Sequence, residues 1–438
     1  MEPFETTETM EREELRELQL ERLRALLPRV RDAVPTYRGR WEEAGVDVDA
    51  IAALDDLARL PFTRKADLRD TYPFGLFAVP PEQVARIHGS SGTTGKPTIV
   101  GYTGEDLDLF ATMVARCLVM AGARPGMKLH NAYGYGLFTG GLGLHGGAER
   151  LGMTVVPVSG GMTERQVTLI EDLRPDVICV TPTYALTLCQ AFRERGVAPE
   201  EISLRYAVLG AEPWTEAMRE EIDAGLGVRA TNIYGLSEII GPGVSGECVE
   251  ARHGSHLNED HFLAEIVDPE TGAPLGPGEE GVLVITTLTK QALPLVRYWT
   301  GDITSLDETP CACGRTLARM ATIAGRTDDM LIVRGVNVYP TQVATLLGEV
   351  AGLTSNYRLV LRRGATMDEV EVEVEAREGT DRHTQDMASH LARLIKETIG
   401  CSMTVAVLDP GALPRSDGGK VVRVLDQRGE PTALADQA

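Results

Sequence analysis

Five short stretches carry residue types suited to phosphate and acyl chemistry. Ser90-Ser91-Gly92-Thr93-Thr94-Gly95-Lys96-Pro97 combines glycines, which let the backbone turn and expose N–H groups, with hydroxyls and one ammonium. Such a loop can cradle polyphosphate oxygens. It is not a Walker A loop: Ser90 stands where that pattern needs Gly, Pro97 follows the lysine, and an extended segment over 98–102 comes next. Tyr234-Gly235-Leu236-Ser237-Glu238 follows a strand-like run, and strand ends of α/β sheets are where ligands collect. Glu238 suits Mg²⁺, and Tyr234 suits stacking on a purine. Asp302, closing Arg297-Tyr298-Trp299-Thr300-Gly301-Asp302, can accept from both hydroxyls of a ribose. Gly325-Arg326-Thr327-Asp328-Asp329-Met330 puts charge at a point suited to a hinge. Leu413-Pro414-Arg415-Ser416-Asp417-Gly418-Gly419-Lys420 puts a lysine on a Gly-rich loop near the C-terminus, able to reach another domain's site. Taken singly, each has a plainer explanation: a hairpin turn, a buried tyrosine beside a surface glutamate, an aspartate in a turn, a solvated linker, an exposed lysine.

The elements that must position these residues follow from hydrophobic periodicity. Residues 9–32 repeat Leu15, Leu18, Leu20, Leu23, Leu26, Leu27 and Val30, an amphipathic helix. Between 85 and 290, strand-like runs (85–88, 129–133, 154–158, 177–181, 206–210, 229–234) alternate with helical patterns (106–121, 163–172, 184–194, 215–224), which predicts an α/β sheet. Residues 268–280 read as a turn and 281–287 as a strand. Beyond 325 the texture changes to a small α+β unit: helices at 340–350 and 383–398, extended segments at 357–361 and 403–407, and a strict Glu/Val alternation over 369–374 that buries one face. The expected division is a domain of residues 1–326 and a second of 327–438.

Composition narrows the partners. At 438 residues the chain exceeds the size at which one core keeps growing. With 64 acidic against 43 basic residues and a net charge of -21, it repels nucleic-acid backbones, and an anionic nucleotide needs local donors or Mg²⁺. The acidic start MEPFETTETM lacks the layout of a signal peptide, and no run of about 18 apolar residues predicts a membrane span. Seven cysteines at irregular spacing fit reduced thiols in the cytoplasm.

In their order and spacing the five stretches resemble the adenylate-forming (acyl-/aryl-CoA synthetase) superfamily, and more closely its phenylacetate–CoA ligase family. The likeness runs from about residue 10 to 430 and is most specific at LPFTRKADLRDTYPFGLFAVP (60–80), NAYGYGLFTGGLG (131–143) and DMLIVRGVNVYP (329–340). It implies a large multi-sheet α/β domain with a small mobile α+β domain. It implies attack of a carboxylate on the α-phosphorus of ATP, then displacement of AMP by a thiol, with coenzyme A the expected acceptor and a carrier-protein thiol or an amine the alternative. By the same resemblance, Ser90, Ser91, Gly92, Thr93, Thr94 and Lys96 would hold phosphates and Glu238 would bind Mg²⁺. Tyr234, Gly235, Glu212 and Pro213 would line the nucleotide, Asp302 and Arg326 the ribose. Lys420 would act at the reacting carboxylate, and Asp328 would be the pivot that withdraws it. Tyr133, Tyr135, Gly136, Phe138, Gly141, Gly146, Ala211, Ile239, Gly241 and Pro242 would surround an aryl ring. The family reads His-Tyr-Gly-Ala-Glu where this chain has His145-Gly146-Gly147-Ala148-Glu149, which shifts the expected acid from phenylacetate toward a substituted benzoate such as an amino- or hydroxybenzoate. Trp299 stands where Arg is common. A homodimer is a family expectation.

Cys248, Cys311 and Cys313, with His253 or His256, offer three thiolates and one imidazole to a tetrahedral Zn²⁺. Some family members carry a matching set, in which His256 fits better than His253; four protein ligands would make such a zinc structural. Cys117, Cys179, Cys189 and Cys401 sit in apolar runs and read as core. Outside the enzyme class, a nucleotide-sensing protein that kept the fold is disfavoured by the joint presence of Lys420, Glu238 and Asp302. A zinc interaction module is disfavoured by the length of the surrounding chain.

Overall fold

The computed structural model describes residues 2–90, 97–333, 336–363, 368–380, 385–416 and 421–428. Its largest sheet has nine strands. In chain order these are β3 (Lys128–Asn131), β4 (Thr154–Val156), β5 (Val177–Val180), β6 (Tyr206–Gly210), β7 (Arg229–Leu236), β8 (Gly241–Glu247), β9 (Ser255–Leu257), β13 (Leu306–Asp307) and β14 (Arg319–Met320). The hairpin β1 (Arg86–Gly89) and β2 (Ile99–Tyr102) precedes them. The spatial order is 13-14-9-8-7-6-5-3-4: strands 4, 3, 5, 6 and 7 are parallel, and the rest of the sheet is antiparallel. A second, antiparallel sheet is formed by β10 (Phe262–Val267), β11 (Gly281–Thr287), β12 (Tyr298–Thr304) and β15 (Gly325–Arg326), with β13 and β14 of the first sheet falling between its last two strands in sequence. The hairpin β16 (Leu331–Val333) and β17 (Val336–Val338) leads to the last sheet, β18 (Leu353–Arg363), β19 (Asp368–Ala376), β20 (Thr404–Leu408) and β21 (Val424–Asp426), in the order 20-19-18-21.

The helices are α1 (Arg12–Ala33), α2 (Pro35–Glu43), α3 (Lys65–Asp70), α4 (Gly104–Met120), α5 (Thr139–Arg150), α6 (Thr163–Leu173), α7 (Pro182–Glu194), α8 (Glu216–Leu226), α9 (Pro340–Leu347) and α10 (Gln385–Ile399). None is long and apolar enough to cross a membrane among the described residues. The expected α/β architecture, with a large first part and a smaller second one, is what the chain adopts. The first part's core runs from Leu23 to Met320, and a separate apolar cluster is built from Val333 to Met403. On β19, Val370, Val372 and Val374 are buried, the inward face of the Glu/Val alternation.

Helix α5 departs from the sequence expectation, which places no helix there. Its five glycines lower its intrinsic propensity. Packing outweighs that handicap: a Cβ on Gly143 would lie 2.2 Å from the Phe110 ring, and one on Gly147 2.3 Å from Val114. The glycines are the surface against which α4 closes. Strand β8 is likewise absent from the periodicity, because its opening Gly241-Pro242-Gly243 carries none.

Candidate active site

Three segments leave the C-terminal edge of the parallel strands: 132–138 after β3, 211–213 after β6, and the end of β7 with the turn 237–240, with β5 lying between β3 and β6. Parallel strands place successive loops on one edge, so residues far apart in sequence converge there. Close approach is built in. A Cβ on Gly210 would meet Ile233 O at 2.2 Å, and one on Gly235 would meet Gly241 O at 1.8 Å. Ala211 holds φ 72°, a left-handed conformation rare for a residue with a Cβ, at the loop after β6.

Asp302 is buried beneath the end of β7. The Tyr234 hydroxyl donates to its Oδ2 at 2.6 Å, and Arg326, its cross-strand partner on β15, donates from Nη1 to Oδ1. Arg326 also donates from Nε to Asp328 at 3.0 Å. Burial pushes the Asp302 carboxyl up, and the Arg326 guanidinium opposes that shift. Burial, then Asp302, holds Tyr234 well above the usual phenol range. A carboxylate keeps further lone pairs when each oxygen accepts one bond, so this one can still receive hydroxyls.

Glu238 sits in the turn after β7, its side chain 6% exposed and 3.9 Å from the Lys65 ammonium of α3. That separation leaves the carboxylate oxygens available to a hard cation. Glu212 accepts from Thr183 N at 2.7 Å and from the Thr183 hydroxyl, at the start of α7. Its carboxyl is raised by burial, against hydrogen bonds from Thr183 and Val421 and the charge of Arg423. The residues following Lys420 therefore lie against the loop after β6. Pro213 and Gly235 are exposed beside it.

On the other side of the edge, Tyr133 is buried, with no hydrogen-bond partner for its hydroxyl among the described residues. The Tyr135 hydroxyl receives Asn131 Nδ2 at 2.8 Å and lies 3.1 Å from His145 Nδ1. Leu137 and Phe138 are exposed, and Gly136 (φ 144°) precedes them. Gly141 lies against the Gly134 carbonyl, and Gly241 against Phe110 and Thr139. Ile239 is fully buried, Pro242 half-buried and Ala211 exposed. A Cβ on Gly146 would be 3.8 Å from Ala111 of α4, in a cleft shared with Arg86, Phe110 and Glu149.

Of the candidate phosphate-binding residues only Ser90, whose N–H donates to Thr98 O, is within the described residues; Ser91, Gly92, Thr93, Thr94 and Lys96 lie outside them, as does Lys420. Sequence reasoning passes over Lys65, Tyr102, Phe110, Thr183 and Lys290. Lys65 lies within the family-specific 60–80 stretch, whereas the others have no local signature.

The cysteine and histidine set also converges. Cys248, His256, Cys311 and Cys313 bring four ligand atoms within 4.8 Å of one another, all buried. Cys248 Sγ and Cys311 Sγ are 3.7 Å apart, and Cys313 Sγ is 3.4 Å from His256 Nε2. The edges of a tetrahedral zinc site are about 3.8 Å for S···S and about 3.6 Å for S···N. His256 Nδ1 faces Leu317 O at 3.3 Å, leaving Nε2 for the cluster. The Cys313 thiol is held well below its usual range by a hydrogen bond from Cys248 and by His256. His253 is outside this set, and the other four cysteines are buried and form no disulfide among the described residues.

The AMP-binding enzyme family matches residues 24–289, and the AMP-binding enzyme C-terminal domain matches 335–428. Phenylacetate-coenzyme A ligase of Thermus thermophilus is 62% identical over 96% of this chain and 98% of its own. The Escherichia coli enzyme of the same name is 50% identical over 98% of each. Among solved structures, 2-hydroxyisobutyryl-CoA ligase in its postadenylation state, in complex with 2-HIB-AMP, superposes with TM-score 0.90 at 28% identity, covering 98% of this chain and 94% of that one. The same enzyme in the thioesterification state, with 2-HIB-AMP and CoA, gives 0.72 at 29% identity, covering 97% and 92%. With these matches over nearly its whole length, the chain belongs to the phenylacetate–CoA ligase family of the adenylate-forming enzymes.

Proposed function

We propose that this chain activates phenylacetate with ATP and transfers the acyl group to coenzyme A. The observation that carries this is 62% identity, across nearly the full length of both chains, to a phenylacetate-coenzyme A ligase. Adenylation of an acid and formation of its CoA thioester follow from the family; the choice of phenylacetate rests on that identity. The same relatives favour coenzyme A over a carrier-protein thiol or an amine as acceptor. They also favour phenylacetate over the substituted benzoate expected from Gly146, a residue that borders the α4 cleft with Ala111.

Adenylation requires the carboxylate to be held in line with the α-phosphorus while charge on the phosphates is neutralised. Residues 90–96 supply donors for the phosphates, and Lys420 supplies a cation at the reacting carboxylate. Asp302, held by Tyr234 and Arg326, receives the ribose hydroxyls, and Glu212 and Pro213 lie along the nucleotide. Glu238 would hold Mg²⁺, which lowers the charge barrier to attack. Tyr133, Tyr135 and Gly241 bound the aryl group. The division at 326/327 serves this chemistry. With Asp328 as pivot, the smaller part withdraws Lys420 after adenylation and admits the thiol. The arrangement here matches the postadenylation form of a relative better than its thioester-forming one. Cys248, His256, Cys311 and Cys313 would hold a structural Zn²⁺ with no open position.

The test is pyrophosphate release across phenylacetate, benzoate, aminobenzoates and hydroxybenzoates, followed by AMP release with and without coenzyme A. Phenylacetate should give the highest kcat/KM, and coenzyme A should stimulate AMP release. Preference for a benzoate, or no response to coenzyme A, overturns the reading.

A further inference from the structure

Lys290 is fully buried, an expensive place for an ammonium unless its donors are all used. Its Nζ donates to Ile239 O at 2.7 Å and to Glu238 O at 3.4 Å, and it stands 4.5 Å from the centre of the Tyr102 ring. Tyr102, also fully buried, places its hydroxyl 3.0 Å from Ile240 O and 3.4 Å from Ser237 O, one proton serving both. The four consecutive carbonyls of the turn 237–240 thus rest on two side chains stacked beneath it. Lys290 is itself anchored: Arg29 donates to Lys290 O at 2.7 Å, and Asp106 accepts from the N–H groups of Gln291 and Ala292. Burial pushes the ammonium down to about 8, against the charges of Asp106 and Glu238. An apolar side chain would avoid that cost but could not donate to the turn.

We propose that Lys290 is a positioning residue of the adenylating centre, fixing with Tyr102 the backbone from which Glu238 presents its carboxylate to the metal–nucleotide. This rests on the reading of Glu238 as the magnesium-binding residue. A merely structural lysine would affect both half-reactions alike. A positioning one shifts the magnesium dependence of the first and spares the second.

The experiment titrates Mg²⁺ in pyrophosphate release for wild type, Glu238→Gln, Lys290→Met and Tyr102→Phe, and measures CoA transfer from supplied phenylacetyl-AMP and Tm for each. Lys290→Met should raise the Mg²⁺ half-saturation by about 10-fold, as loss of an outer partner of a metal ligand does, with CoA transfer little changed. Tyr102→Phe keeps the ring under the ammonium and removes one donor, so a rise of about fivefold is expected. Should Lys290→Met not be recovered folded, Tyr102→Phe decides. If Glu238→Gln shifts the half-saturation and neither other variant does, or if both half-reactions fall in parallel with magnesium dependence unchanged, the role of Lys290 is overturned alone. If Glu238→Gln causes no shift, the magnesium reading falls, and the role of Lys290 with it.

Discussion

Arg326 and Asp302 face each other across β15 and β12, and the guanidinium takes one oxygen of a carboxylate whose other oxygen is 2.6 Å from the Tyr234 hydroxyl. Burial favours the neutral form of Asp302 and Arg326 favours the charged form. Removing Arg326 therefore raises the Asp302 pKa further, and the ionised carboxylate proposed to receive the ribose is lost at a higher pH. Arg326→Ala should move the acid limb of kcat/KM for ATP upward by about one pH unit or more, with Arg326→Lys in between. A limb that stays in place would show that Asp302 does not control nucleotide capture.

Lys420 lies outside the described residues, and the residue after it, Val421, hydrogen-bonds Glu212 at the loop after β6. Lys420→Ala should slow acyl-AMP formation by about 10²–10³-fold, the usual effect of losing one charge-stabilising group, while CoA transfer from supplied acyl-AMP persists. Single-turnover assays of each half-reaction separate the two. Equal loss in both would refute the assignment.

The cysteine–histidine cluster makes an elemental prediction. Purified protein should contain about one zinc per chain. His256→Ala and Cys313→Ala should each lose most of it and lower Tm, and His253→Ala should retain it. Absence of zinc, with Cys248 and Cys311 alkylated in the folded state, would remove the site.

Gly147 offers a test of packing against propensity. Ala is favoured over Gly inside a helix by about 1 kcal/mol. A Cβ at Gly147, however, would lie 2.3–2.4 Å from two Val114 atoms and 3.1 Å from Ala115 N. Gly147→Ala should therefore destabilise the protein, by about 1–3 kcal/mol in denaturant titration. Adding Val114→Ala should recover part of the loss of the first substitution. Stabilisation by the single change would mean that α4 and α5 are less closely joined than described.

Much of this molecule is written locally. The strands at 177–180 and 206–210 are apolar runs, the Glu/Val alternation declares one buried face, and Tyr234, Glu238 and Asp302 sit in short motifs whose order along the chain carries the family resemblance. Helix α5 is illegible in sequence because its glycines argue against a helix until Phe110 and Val114 are in place to close on them. The choice of His256 over His253 becomes geometric only when β9 pairs with β14 and His256 Nε2 comes to lie beside Cys313.

Residue chemistry in order along the chain was enough to determine the fold class, the family and the roster of phosphate, ribose and metal candidates, because those properties reside in short contiguous segments. Only the tertiary structure decided that Lys290 and Tyr102 support the Glu238 turn, that Lys65 stands across from Glu238, and that Gly146 borders α4. These are contacts between segments from 51 to 173 residues apart, except for Gly146, 35 residues from Ala111. No spacing rule operates over such separations; burial and strand order bring the groups together, and a lone lysine or glycine carries no local mark of it.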